Sequence, residues 1–470
     1  MNVAWLRADV SADRAALDKQ FSGQLDELAA WCDANDLQAE ATRVRGWALP
    51  RALYTTALAA LPPTIEAVLP ADANDSTREF RRRFEDLRNG QAAALMSLAN
   101  QAVAERRLSL AYELVAAAGR ENPSDANPRR ILGYELHDGR WMTPYEIRKL
   151  AARQVWDDRF GWIPRDRLQR YERGERNYRG AWMSAADEAR RVTSIDKGWE
   201  IVTEHYSIRT NHSLEEGVRL ASQLETLYRA WWQLFVLYHA SESEIAGWIR
   251  GAAPRPPAPQ RHNVVYFRNR DEYNAALIQS QPNIGVSTGY YDPAARIAYF
   301  FAGLEGDKTL YHEATHQLFA EVRSSRRAFG DVHNFWIVEG IACYMETFTP
   351  CDGYCLLGGA DAERLLAARY RVLSDDFYVP LAELVQLNLQ RLQSDPRIAK
   401  LYSESAGLTH FLMHANQGRY RDVVDDYLLA IYTGRDRIGT LSELAGVSFE
   451  TLDREYRTFL QTLSSSPAAE

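Results

Sequence analysis

The segment LYHEATHQLF, residues 310–319, constrains the fold of this 470-residue chain more than any other stretch. Its apolar residues recur at intervals of three and four, which predicts a helix buried along one side. The apolar stripe consists of Leu310, Ala314, Leu318, Phe319 and Val322. Two histidines and a glutamate lie in the same stretch, so this helix would carry three ionisable side chains beside a hydrophobic core.

The two histidines have the spacing of metal ligands. Residues four apart on a helix lie on one face about one turn apart, so His312 and His316 can direct two imidazole nitrogens at one ion. Glu313 is offset around the helix, where it would meet a water molecule rather than the ion. The alternative interpretation is a pair of histidines satisfied by hydrogen bonds in an ordinary core. The pattern favours the metal site.

A hydrolytic zinc site needs a third protein ligand. A metzincin would have Gly at 319 and His at 322, where this chain has Phe319 and Val322, so that class is excluded. The segment NFWIVEGIACYMETF (334–348) places Glu339 among apolar residues, and burying a carboxylate there is costly without a partner charge. Glu346 follows on the same face of the predicted helix and either orients a ligand histidine or is an exposed helix charge.

The two motifs together resemble those of a known family. HEATH followed by WIVEGIACYME is similar to the gluzincin metallopeptidases, and residues 126–460 are similar to an uncharacterised bacterial family within that clan, a domain of unknown function. The cues are FGWIP, TEHYSIRTNHSLE and YSESAGLTHFL. The resemblance implies one Zn²⁺ per chain, held by His312, His316 and Glu339, with Glu313 as the catalytic base.

The same resemblance suggests further residues of the cleft. Tyr402, in LYSESAGLTHFL, lies near the position of the tyrosine that steadies the oxyanion in aminopeptidase-like gluzincins, although the Lys-Gly that usually follows it is replaced here by Ser-Glu-Ser. His410 is a second candidate for that contact. His333, in the loop SSRRAFGDVHN (324–334), is expected either to approach the metal or substrate or to be an exposed loop histidine. That loop is expected to be enlarged relative to the compact aminopeptidases.

The predicted function is that of a zinc-dependent hydrolase of peptide bonds that acts on a peptide or protein. The G-x-M-E-N type motif that binds a free amine in the aminopeptidases has no counterpart before His312, so an endopeptidase is expected. GVSTGYY or RIAYFF would form the edge strand to which an extended substrate adds. The alternatives are an inactive metal-bearing scaffold that binds a protein partner, and a helical-repeat protein without metal. The presence of Glu313 favours the enzyme.

Hydrophobic periodicity and turn signals divide the chain into four parts within a mostly helical α+β class. We expect a helical repeat-like region at 1–125, which a protein partner could bind, and a linker of turn–helix repeats at 126–195. A zincin-like catalytic subdomain with a small mixed sheet is expected at 196–350, and a helical subdomain that completes the cleft at 351–470. The tryptophans expected to anchor the repeats are Trp141, Trp162 and Trp182.

Composition limits the partners and the location. A net charge of −8 and a pI near 5.8 argue against nucleic acid, which binds clustered positive charge. No run approaches the roughly 20 apolar residues of a membrane span, and the N terminus lacks the pattern of a signal peptide. We therefore expect a soluble chain, exported if its start was trimmed and cytoplasmic otherwise. Four cysteines are too few for a disulfide framework, although Cys351 and Cys355 could close a local bridge.

Overall fold

The computed structural model describes residues 10–50, 52–65, 69–70, 72–178, 180–254, 261–303, 305–323 and 329–463. Helices dominate these ranges and small sheets lie between them, which confirms the mostly helical α+β class. None of the helices formed by these residues is long and apolar enough to cross a membrane.

The first part of the chain is helical except for one strand. Its elements are α1 (Val10–Ala34), α2 (Gln38–Arg45), β1 (Thr55–Ala59), α3 (Asp75–Ala104), α4 (Leu108–Glu121) and α5 (Ala126–Ile131). Helices α3 and α4 pack together as a pair joined by a short turn. Asn74 caps α3, because its side chain accepts a hydrogen bond from the N–H of Thr77 at 2.7 Å.

Three β-hairpins, each followed by a helix, form the second part. They are β2 (Glu135–His137), β3 (Arg140–Met142) and α6 (Pro144–Ala151); β4 (Gln154–Asp157), β5 (Gly161–Pro164) and α7 (Leu168–Glu172); β6 (Glu175–Tyr178), β7 (Ala181–Ser184) and α8 (Ala185–Arg191). Each repeat tryptophan lies on the second strand of its hairpin. The indole of Trp141 donates to the carbonyl of Pro123 at 2.7 Å, so this ring does anchor its turn. Thr143 and Glu146 form a capping box at the start of α6.

A five-stranded mixed sheet occupies the middle of the chain, in the order β11-β12-β10-β9-β8. Its strands are β8 (Trp199–Val202), β9 (Tyr206–Thr210), β10 (His262–Phe267), β11 (Tyr290–Asp292) and β12 (Ile297–Phe301). Strand β10 runs parallel to β9 and β12, whereas β8 and β11 are antiparallel to their neighbours at the two edges. Of the two predicted edge strands, GVSTGYY therefore supplies the edge and RIAYFF the inner strand.

Helices cover both faces of this sheet. The helices of this part of the chain are α9 (Leu214–Leu234), α10 (Val236–His239), α11 (Glu242–Ile249), α12 (Arg270–Leu277), α13 (Lys308–Val322) and α14 (Phe335–Met345). Of these, α9 and α13 pack on one face of the sheet and α12 packs on the other. Side chains alternate across β12, so Phe300 joins the main core with α9 and α13 whereas Phe301 joins a smaller cluster with α12. Helices α10 and α11 share a second core cluster with α3 and α4, which attaches the N-terminal helices to the middle of the chain.

The last part is helical apart from one hairpin. Its elements are β13 (Thr349–Cys351), β14 (Tyr354–Gly358), α15 (Glu363–Leu373), α16 (Leu381–Leu384), α17 (Leu389–Ser394), α18 (Ile398–Gly418), α19 (Arg421–Tyr432), α20 (Thr440–Ala445) and α21 (Phe449–Thr462). Strand β1 pairs with β14, Thr55 opposite Gly358, so the first part of the chain adds a strand to this hairpin. The boundary expected at 350 falls inside β13.

The register of the β13–β14 hairpin places Cys351 and Cys355 on opposite faces. Cys351 stands opposite Tyr354, and paired residues of an antiparallel ladder point to the same face. Cys355 follows Tyr354 and therefore points to the opposite face. Both thiols are free, so the local bridge considered from the sequence is not formed.

Candidate metal centre

Helix α13 presents the two predicted histidine ligands at the edge of the main core. Leu310, Ala314, Leu318 and Phe319 are buried, as the apolar periodicity predicted. The side chains of His312 and His316 are 13% and 11% exposed, so they lie where the core meets the solvent. Their Nε2 atoms are 3.1 Å apart.

Helix α14 packs on α13 and brings Glu339 to the same place. Glu339 is 4% exposed, and its Oε2 lies 3.4 Å from Nε2 of His312 and 3.6 Å from Nε2 of His316. These three residues form a candidate metal-binding group. The centre of a triangle with these sides lies about 2.0 Å from each corner, which is the distance at which zinc binds imidazole nitrogen and carboxylate oxygen.

The carboxylate of Glu339 also shows that this place suits a cation. Its Oε2 is buried and has no hydrogen-bond partner among the described residues, although buried polar atoms are normally paired. Burial alone would raise the pKa of Glu339, but the nearby His316 and His312 lower it below its usual value. The group is therefore ionised, and its Oε2 faces the imidazole nitrogens of both histidines.

Glu346 holds His312 from the other side. Its Oε1 accepts a hydrogen bond from Nδ1 of His312 at 2.9 Å, and a proton on Nδ1 leaves the lone pair on Nε2, facing the candidate centre. Burial would raise the pKa of Glu346, but hydrogen bonds from His312 and Arg364 lower it. This is the orienting role that the sequence offered as one of two alternatives.

Arg364 is a part of the site that sequence reasoning missed. From α15, its Nε donates to Oε2 of Glu346 at 2.7 Å and one terminal nitrogen donates to Oε1 at 2.9 Å, a two-bond fork. Arg364 belongs to no motif that includes α14. The only signal in the sequence is that a buried Glu346 would need a positively charged partner, and this does not say which arginine supplies it. Cys343, His312 and Glu346 also lie close enough to share an ion, but the guanidinium already supplies the positive charge there.

Glu313 is held by the edge strand. Its Oε2 accepts a hydrogen bond from the backbone N–H of Tyr291 in β11 at 2.9 Å, which leaves Oε1 as its other acceptor. The strand approaches closely, because a Cβ atom built on Gly289 would lie 3.1 Å from Cγ of Glu313 and 2.7 Å from Cγ2 of Thr309. Neither contact was foreseen from the sequence.

Tyr402 lies beside the metal-ligand group. It is partly buried near the start of α18, and its hydroxyl lies near the carboxylate of Glu339. Burial raises the pKa of Tyr402 and the negative charge of Glu339 adds to the effect, so the hydroxyl stays protonated. The structure therefore places Tyr402 next to Glu339, one of the three predicted metal ligands.

His410 and His333 occupy other surroundings. His410 is 1% exposed and packs against Tyr344, with ring centroids 4.9 Å apart, so its ring is enclosed by the core. Burial lowers the pKa of His410 well below its usual value. Nδ1 of His333 lies 2.7 Å from Oδ2 of Asp436, so this histidine is paired rather than free in the loop. Residues 324–328 of that loop are outside the described residues, and the prediction that the loop is enlarged concerns this same segment.

Comparison of the chain with family models, with curated proteins and with solved structures found no match.

Proposed function

We propose that this chain is a zinc-dependent hydrolase of peptide bonds, an endopeptidase of the gluzincin type. The observation that carries the proposal is the triangle formed by two imidazole nitrogens and the buried Oε2 of Glu339, an oxygen with no hydrogen-bond partner in the described part of the chain. Two histidines and one glutamate are a donor set of hydrolytic zinc sites, in which a fourth position stays open.

The surroundings of the triangle support a hydrolase of the zincin-like type. A mixed sheet with an antiparallel edge strand lies against the helix that carries the two histidines, and the third ligand comes from the next helix. Glu346 orients His312 from outside, as ligand histidines generally require. Glu313 is present and contacts the edge strand, which favours an active enzyme over a metal-bearing scaffold.

The residues of the chain would divide the chemistry between them. When bound, zinc supplies a Lewis acid that polarises a carbonyl and lowers the pKa of a water molecule to about 7. Glu313 would accept a proton from the attacking water at Oε1, because Oε2 is taken by Tyr291, and return it to the leaving amine. The protonated hydroxyl of Tyr402 would donate to the developing oxyanion, a contact typically worth about 2.7–4 kcal/mol.

An extended substrate would lie along β11, the edge nearest Glu313. This strand spans only Tyr290–Asp292, and the N–H of Tyr291 is already bonded to Glu313. A substrate backbone would therefore meet the remaining main-chain groups of the edge rather than that N–H. The missing free-amine motif remains the reason to expect cleavage within a chain rather than at its end.

Metal analysis and a turnover assay test the proposal in two steps. Purified protein should contain one zinc per chain, and His316→Ala should lose it. A mixed peptide library should be cleaved by the wild type and not by Glu313→Gln, with zinc retained in that variant. Absence of stoichiometric zinc would leave the helical-repeat protein without metal, and zinc without turnover would leave the scaffold that binds a partner.

A further inference from the structure

Glu321 is a buried carboxylate that the proposed chemistry does not use. It lies in α13 and is 3% exposed. Its Oε2 accepts from Nδ1 of His262 at 2.8 Å and its Oε1 accepts from Nε2 of Gln317 at 3.1 Å. Burial, together with this nearby carboxylate, raises the pKa of Tyr291. Arg296, in the turn between β11 and β12, donates to the backbone oxygen of Glu321 at 3.4 Å and stands 3.9 Å from Oε2. A buried carboxylate with this many partners fixes the elements that supply them.

Three elements meet at this carboxylate. Glu321 and Gln317 belong to α13, His262 begins β10, and Tyr291 is the central residue of β11. His262 and Tyr291 are themselves 2% and 6% exposed, so the group is shielded from water and its hydrogen bonds are strong. We call His262, Tyr291, Gln317 and Glu321 the Glu321 network.

Tyr291 connects this network to the proposed catalytic base. Its hydroxyl lies near the carboxylate of Glu321, and its backbone N–H donates to Oε2 of Glu313 at 2.9 Å. One residue of the edge strand therefore lies beside two carboxylates of the same helix. Because Gly289 leaves no room for even a Cβ atom beside Glu313, a small movement of β11 toward or away from α13 would displace that carboxylate.

We propose that the Glu321 network positions β11, and through the N–H of Tyr291 positions Glu313, so that Tyr291, Glu321 and His262 are positioning residues of the reaction. The proposal rests on the proposed function insofar as Glu313 is the base. Strand β11 has a single neighbouring strand and three residues, so its own ladder holds it weakly. The network supplies the missing anchor from the side of the helix.

The substitution Tyr291→Phe tests this with little disturbance, because it keeps the ring and removes only the hydroxyl. We expect amide hydrogen exchange of residues 289–292 to become about tenfold faster, since the edge strand opens more often. Zinc content should be unchanged. The kcat value should fall about tenfold or more with KM nearly constant, since misplacing a catalytic group affects the transition state most.

Tyr206→Phe is the matched control. Tyr206 is 0% exposed, its ring centroid lies 5.4 Å from that of His262, and its hydroxyl has no hydrogen-bond partner within the described part of the chain. Removing this hydroxyl breaks no contact to β11, so both the exchange rate and kcat should match the wild type. Glu321→Gln, which keeps the shape of the side chain, should speed exchange in the same segment and should not add to the effect of Tyr291→Phe in the double variant.

Exchange at the wild-type rate in Tyr291→Phe, or equal acceleration in Tyr206→Phe, would overturn the positioning proposal. The exchange measurement needs no substrate, so it decides the proposal even if no peptide is cleaved. A wild-type protein without turnover but with network-dependent exchange would instead overturn the proposed function while leaving the anchoring of β11 in place.

Discussion

Glu346 and His312 are joined by a 2.9 Å hydrogen bond from Nδ1 to Oε1, which directs the other nitrogen of the ring at Glu339. Two carboxylates of one helix thus lie on opposite sides of a single imidazole. One would bind the metal and the other fixes the ligand. The first prediction concerns this second carboxylate.

Glu346→Gln should weaken zinc binding by about 10- to 100-fold, because the charged acceptor behind a ligand histidine raises its basicity and fixes its orientation. Competition with a chelator of known affinity measures the change. Glu200→Gln is the control, since Glu200 pairs with Arg209 on the exposed far edge of the sheet. Equal zinc affinity in Glu346→Gln and the wild type would contradict the role given to this residue.

Gly289→Ala should reduce turnover while zinc stays bound. The added methyl group would lie 3.1 Å from Cγ of Glu313 and 2.7 Å from Cγ2 of Thr309, so the strand or the carboxylate must shift. Overpacking of this kind also costs about 1–3 kcal/mol of stability. Gly285→Ala provides the comparison, because a Cβ atom at Gly285 meets nothing within 4 Å. Unchanged kcat in Gly289→Ala would show that Glu313 tolerates the shift.

Gly340→Ala should destabilise the packing of α14 on α18. A Cβ atom there would lie 2.7 Å from the backbone oxygen of Ser405 and would also collide with the hydroxyl of Thr409. We expect a loss of about 1–3 kcal/mol, seen as a lower thermal midpoint. Gly90→Ala in α3 meets nothing within 4 Å and should instead stabilise by about 0.5–1 kcal/mol. A midpoint that does not fall in Gly340→Ala would contradict the tight approach.

Glu404→Gln should remove a loss of stability at rising pH. Burial raises the pKa of Glu404 to about 8, and the nearby Asp453 adds to this rise. The hydrogen bond that the carboxyl oxygens accept from the N–H of Val379 acts in the opposite direction. The unfolded chain ionises this carboxyl near pH 4.3. Between these two values the unfolded state releases a proton that the folded state keeps, so wild-type stability falls as pH rises, by about 1.4 kcal/mol per pH unit.

The measurement for Glu404→Gln is the thermal midpoint at pH 5 and at pH 8. The thermal midpoint of Glu404→Gln, measured relative to that of the wild type, should be higher at pH 8 than at pH 5. Glu383→Gln, a change on the exposed surface of α16, should have the thermal midpoint of the wild type at both values. A constant difference between Glu404→Gln and the wild type would mean that the carboxyl ionises equally in the folded and unfolded states.

Several features of the fold could be predicted because they depend on residues close together in the chain. The helix with His312 and His316 on one face follows from its periodicity, and the capping box at Thr143 follows from the identity of two neighbouring residues. The relation between Glu339 and Glu346 is of the same kind. Glu339 lies in α14 and Glu346 directly follows its last residue, seven positions later, and both reach His312.

Contacts between distant segments could not be predicted in the same way. Arg364 reaches Glu346 from another helix, and Tyr291 reaches Glu313 from the edge strand. His410 and His333 look equally suitable in the sequence, yet one is enclosed by the core and the other is paired with Asp436. The pairing of β1 with β14 likewise joins segments that are far apart in the chain.

The sequence by itself determined which donors a single helical turn can present, because the rise and twist of a helix are the same wherever it forms. Only the tertiary structure decided that Glu339 meets both imidazoles, which oxygen of Glu313 is bonded to the edge strand and which arginine neutralises Glu346. These outcomes depend on how helices and strands pack across long separations. That packing is a property of the whole core, and no short stretch of sequence contains it.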